Sequence, residues 1–168
     1  FDGYLDGRGY SINGLYIDRV GVNHVGLIGF MNRNATLTNI SINNADIKGK
    51  MSVGSAVGMN FGGLIHKSHA NGNVEGDNYS GGLVGANYGT VMDSSTRVDV
   101  SGNNNTGGLI GGNDGTISNS NSSGSVNGGF SVGGLVGWNK RSIEDSHSDC
   151  EVSGDNVIGG LVGWNYYF

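Results

Sequence analysis

Proline is absent from the 168-residue sequence, cysteine occurs once, and only 14% of the residues carry charge. The lone Cys150 excludes an intrachain disulfide framework and a cysteine-based zinc site. Nine Lys and Arg face 14 Asp and Glu, a net charge of −5. That balance argues against a nucleic-acid partner, which needs clustered basic side chains. No run approaches the roughly 18 apolar residues of a membrane-spanning helix. Apolar residues make up 36%, while glycine is abundant at 34 residues. Without internal order, such a composition would describe a disordered tract.

The order is what stands out. Gly81-Gly82-Leu83-Val84-Gly85 recurs at Gly107, Gly133 and Gly159, each copy 26 residues after the last. Asn87, Asn113, Asn139 and Asn165 follow at one offset. Ala56-Val57-Gly58 and Gly26-Leu27-Ile28-Gly29 are worn upstream copies, spaced 27 and 29 residues. Ile65, Val91, Ile117 and Ile143 form a further column. So do Ser68, Ser94, Ser120 and Ser146, then Val74, Val100, Val126 and Val152, then Gly76, Gly102, Gly128 and Gly154.

Helix is a poor reading of this unit, because glycine costs about 1 kcal/mol per helical position and no 3.6-residue apolar period is present. Around Ser120–Gly128 the residues alternate instead. Ser120, Ser122, Gly124, Val126 and Gly128 share one parity, and Asn121, Ser123, Ser125 and Asn127 the other, a strand pattern. Three short strands fit each unit: the Gly-Leu-Val-Gly segment, the Thr116-Ile117 segment and the Ser-Val-x-Gly segment. The expectation is an all-β, right-handed parallel β-helix with about 26 residues per coil and strands stacked about 4.8 Å apart. The absence of proline agrees, since stacked strands need every N–H. Residues 1–50 are expected to form irregular N-terminal capping coils, and residues 51–168 the regular ones. With no initiating Met and a stop in mid-repeat, the chain reads as a piece of a longer protein or a processed product.

The Gly82-Leu83-Val84-Gly85 core and its copies at 108–111, 134–137 and 160–163 resemble bacterial GLUG-motif repeats. The opening Phe1-x-Gly3-x-Leu5-Asp6-Gly7-x-Gly9-Tyr10-x-Ile12 is similar to the segment that commonly precedes such repeats. The resemblance implies an accessory β-helical region of large surface or secreted proteins, such as adhesin-like proteins and IgA-specific metallopeptidases. It implies no catalytic residue.

Several residues remain as candidates for chemistry. Lys67, Asp93, Asn119 and Asp145 share a column beside Glu144, and Asp93 and Asp145 would lie two coils, roughly 9–10 Å, apart. That suits a polysaccharide-cutting carboxylate pair, or a bend position that favours Asp and Asn. His66 and His69 are three apart, His24 and His147 distant; the expectation is no metal site and no cofactor. Asp77, Asn103 and Asp155 offer oxygens for calcium or are bend residues. Ser94, Ser120 and Ser146 are read as an inner column whose members satisfy one another, Cys150 as a buried thiol, and the Asn column as a stacked amide ladder or separate turns. Ala70, Thr96, Ser122 and Ser148 form a mixed inward column unsuited to ice binding. Trp138 and Trp164 form either a sugar-stacking platform or a packing patch with Tyr166, Tyr167 and Phe168. The functional expectation is a non-catalytic stalk or adhesion scaffold at a bacterial surface. Its partners would be a host or matrix glycan or protein, or neighbouring domains. The alternatives are a polysaccharide-processing enzyme with Asp93, Asp145, Glu144 and Lys67, or a filament subunit that associates end to end.

Overall fold

The computed structural model describes residues 1–166, and within them every regular element is a strand and the sheets are parallel. The chain winds through about six turns of a β-solenoid with about 26 residues per turn. The first coil holds β1 (Tyr4–Asp6), β2 (Ser11–Asn13), β3 (Tyr16–Asp18), β4 (Asn23–Val25) and β5 (Ile28–Met31). The second holds β6 (Thr36–Thr38), β7 (Ser41–Lys48), β8 (Met51–Gly54) and β9 (Val57–Asn60). From there each coil has three strands. They are β10 (Leu64–His66), β11 (His69–Gly81) and β12 (Val84–Asn87), then β13 (Thr90–Met92), β14 (Ser95–Gly107) and β15 (Ile110–Asn113). The last two coils hold β16 (Thr116–Ser118), β17 (Asn121–Gly133) and β18 (Val136–Asn139), then β19 (Ile143–Glu144), β20 (His147–Gly159) and β21 (Val162–Asn165).

Equal ranks in the repeat are vertical neighbours. Ile65 pairs with Val91, Val91 with Ile117, and Ile117 with Ile143. Val74, Val100, Val126 and Val152 stack in the second sheet. The worn copies are in register too: Ile28 pairs with Val57, and Val57 with Val84.

The strands differ from the expected trio in two ways. One of the three is long, at 13 residues, rather than short. It bends where Tyr79, Asn105, Ser131 and Val157 take positive φ in successive coils, the register position that His24 and Ser52 hold in the short strands β4 and β8. The Gly-Leu-Val-Gly segment is a corner, and only from its valine onward is it strand. Backbone proximity explains its glycines. A Cβ on Gly107 would fall on the Ile110 carbonyl oxygen, one on Gly108 on the Gly134 carbonyl oxygen, and one on Gly111 against the Tyr79–Ser80 peptide. No side chain can occupy a place already taken by main chain.

Leucine then points inward from each corner. Leu83, Leu109 and Leu135 are fully buried with Ile65, Val91 and Ile117, giving one narrow continuous core. A coil cannot cover this face alone, so each depends on its neighbours. The last coil shows the dependence: Leu161, which continues the leucine column, is 40% exposed where Leu135 is 0%.

Inside, several hydroxyls are matched to backbone. Thr96 Oγ1 donates to the Gly108 carbonyl and Ser122 Oγ to the Gly134 carbonyl, both at 2.8 Å across the interior. Ser94 Oγ donates to the Met92 carbonyl and accepts from the Ser68 N–H. Ser120 repeats the pattern with Ser118 and Ser94. Successive serines of the column therefore do bond one another, each N–H donating to the hydroxyl one coil on, while each hydroxyl donates to a main-chain carbonyl.

Candidate ligand-binding surface

The expected carboxylate column lies on a corner where Arg8, Asn39, Lys67, Asp93, Asn119 and Asp145 all adopt positive φ, between 46° and 52°. Asp and Asn tolerate that conformation better than most residues. The backbone thus accounts for their recurrence. Asp93 Oδ2 lies 3.0 Å from His66 Nε2, so its hydrogen-bond partner is a histidine of the adjacent coil rather than Lys67. Lys67, Glu144 and Asp145 are exposed. The column is an open edge, and Asp93 and Asp145 are separated by the Asn119 coil.

Among the described residues no cluster of three or more His, Cys, Asp or Glu is arranged to hold a metal. His69 is instead within 2.7 Å of Ser95 Oγ through Nδ1. Asn103 Nδ2 donates to Asp77 Oδ1 at 2.9 Å, tying two of the three calcium candidates to each other. Cys150 is half-buried and faces the corner at Gly108.

The asparagine column is a true amide ladder and starts one coil earlier than expected, at Asn60. Nδ2 of Asn60, Asn87, Asn113 and Asn139 each donates to Oδ1 of the next asparagine, at 2.7–2.8 Å. Asn113 Nδ2 also donates to the Gly115 carbonyl, and its Oδ1 accepts from the Gly115 N–H. Asn87 and Asn113 each use both donors and both acceptor sites.

Trp138 and Trp164 are register partners on the outer face of the third sheet. The ring packed on Trp164, however, is Phe130, at 5.6 Å between centroids and tilted by 58°. Trp164 is 41% exposed and Trp138 half-buried. Phe30 and Met59 begin the same outer column, continued by Ala86 and Gly112, and the Tyr79 ring covers Gly112. Tyr167 and Phe168, the expected partners of this patch beside Tyr166, lie outside the described residues.

A second aromatic row was not foreseen. Phe30 and Phe61 lie 5.9 Å apart, Phe61 and Tyr88 6.3 Å, and Arg33 sits 5.2 Å over the Phe61 ring. All three rings are exposed. Phe61 and Tyr88 each follow a ladder asparagine, a signal that could have found them, but Asp114 and Lys140 hold that place in later coils. Beyond Tyr88 an open trough of about 940 Å³ runs past Thr90, Asp114, Thr116, Lys140, Arg141 and Ser142. Burial, then the neighbouring Tyr79 and Asp114, raises the Tyr88 phenol above its ordinary pKa.

Together these features define a parallel β-solenoid repeat module with long, repetitive sides. Its repeat is of the GLUG kind: residues 102–127, one full period, match the family described as the GLUG motif. Over 85 residues the chain is 44% identical to Halomucin of Haloquadratum walsbyi, which covers 51% of this chain and 1% of that protein. Over 133 residues it is 36% identical to a protein described as a Gly-rich membrane protein of Evansella cellulosilytica, covering 60% of this chain and 15% of that protein. The first relative is archaeal, so the expected bacterial setting does not hold across the chain's relatives. No solved structure matches the chain. Among the described residues no helix is long and apolar enough to cross a membrane.

Proposed function

We propose that this chain is a non-catalytic β-solenoid module of a cell-surface or secreted protein, a stiff spacer that holds neighbouring parts of the same polypeptide apart and offers its sides for adhesion. The carrying observation is the doubled ladder: backbone pairing between every pair of coils, and an amide ladder linking Asn60 to Asn165. Such cross-linking leaves little freedom between coils. The similarity to small parts of much longer proteins supports a modular role, and the printed names of those relatives support a surface location. Trp138, Trp164 and Phe130 form an apolar patch near the last coil that suits docking of an adjoining segment. No metal or cofactor belongs to this reading, and the His66–Asp93 pairing supports a structural corner over a hydrolytic one. Spin labels at Tyr16 in the first coil and Glu151 in the sixth, in a Cys150→Ser background, test it. A stiff module gives one narrow distance distribution. A broad one, or polysaccharide turnover abolished in Asp145→Asn, overturns it.

End-to-end association has one observation in its favour. Among the described residues, Val157, Ile158 and Leu161 leave apolar surface open on the sixth coil, whose strands β20 and β21 end their sheets. Concentration-dependent sedimentation lost in Leu161→Asp would establish it.

A further inference from the structure

We propose that the trough beside Tyr88 binds an anionic polysaccharide laid along the solenoid axis; the proposal rests on the module reading above and gives its adhesive side a location and a ligand class. The trough follows from the repeat itself. Its floor is backbone, because a Cβ on Gly89 or Gly115 would fall on the carbonyl oxygen of a glycine in the preceding coil. One wall is the residue after the ladder asparagine, Tyr88, Asp114 and Lys140 in successive coils, with Phe61 continuing the row beyond Tyr88. The other is a row of hydroxyls, Thr90, Thr116 and Ser142, from register positions at the start of each coil. The hydroxyls thus repeat along the axis at the coil spacing of about 4.8 Å, and the Tyr88 ring, 6.3 Å from Phe61, stands at one end of the row.

Charge selects the occupant. The chain is acidic overall, yet three of its nine Lys and Arg mark the two ends of this stripe. Arg33 lies over Phe61 at one end. Lys140 and Arg141 stand at the other, held by Asp114 at 3.4 Å and 3.2 Å. Asp114 is the one acid lining the trough, so two lining cations, Lys140 and Arg141, face one carboxylate, with Arg33 beyond the Tyr88 end. Aromatic faces stack on the apolar faces of sugar rings while cations and hydroxyls meet carboxylates and ring hydroxyls. A peptide is the poorer occupant. The strands run across the trough with their N–H and C=O groups already paired between coils, so strand addition has no free edge there.

Affinity electrophoresis of the whole chain in gels containing polygalacturonate or alginate tests this, against gels containing a neutral β-glucan or polyglutamate. Retardation by a polyuronate alone is expected, weakened at least about fivefold in Tyr88→Ala and in Arg141→Gln and unchanged in Trp164→Ala. Far-UV circular dichroism of each variant confirms that the coils persist. No retardation by either polyuronate, equal retardation by polyglutamate or neutral glucan, or loss confined to Trp164→Ala each overturns the proposal. A narrow spin-label distance with no retardation removes this inference and leaves the spacer reading intact. A broad distance removes the spacer reading instead.

Discussion

Asn113 shows how much one small side chain can hold. Its amide receives from Asn87 and the Gly115 N–H and gives to Asn139 and the Gly115 carbonyl, all within a buried corner. Asn113→Leu removes all four bonds and leaves the Asn87 donor and the Asn139 acceptor inside without partners. Buried orphans cost about 1–3 kcal/mol each. The expected loss is therefore about 3–5 kcal/mol in urea unfolding. Asn165 makes the same substitution cheap, because it closes the ladder on the exposed last coil. Asn165→Leu is expected to cost less than about 1 kcal/mol. Equal losses at the two sites would show that the ladder is not what holds the corner.

The Gly-Leu corner allows the sharpest comparison between coils, since one motif position recurs in different surroundings. A Cβ on Gly108 would meet the Gly134 carbonyl oxygen and lie 2.8 Å from Cys150 Sγ, whereas one on Gly160 meets nothing within 4 Å. Gly108→Ala must push two coils apart, at about 1–3 kcal/mol or more. Gly160→Ala is expected to stay within about 0.5 kcal/mol, and thermal unfolding of the two variants decides. The period made the stacking legible before any coordinates, because only vertical neighbours give columns such as Val74, Val100, Val126 and Val152 a common requirement. Strand lengths were not legible. The 13-residue strands include residues such as Tyr79 and Ser131 at positive φ, and nothing in those residue types announces the bend. The surface was only partly legible for a related reason. Trp138 and Trp164 share a column and caught the eye, while Phe30 and Phe61 come from different ranks in the repeat and meet only around a corner. Conversely, the Asp93–Asp145 column drew attention as chemistry when its shared property is a backbone conformation.

For the molecule as a whole, stability should grow with the number of coils, as it does when a chain is a sum of units and the interfaces between them. An interior coil has both faces covered, whereas the sixth leaves Val157, Ile158 and Leu161 exposed. Inserting a second copy of residues 113–138 between Trp138 and Asn139 adds one interior coil and keeps every column in register, with a fifth rung in the asparagine ladder. Such a chain gains one complete interface and loses none, so its midpoint temperature and its urea m-value are both expected to rise. The m-value rises because more surface becomes exposed on unfolding. A control insertion of residues 113–125 has half the period. It would set the polar face of one long strand against the leucine corner of the next coil, and the expected result is a lower midpoint or no cooperative transition. If the two insertions behaved alike, vertical stacking at a 26-residue period would not be the source of stability.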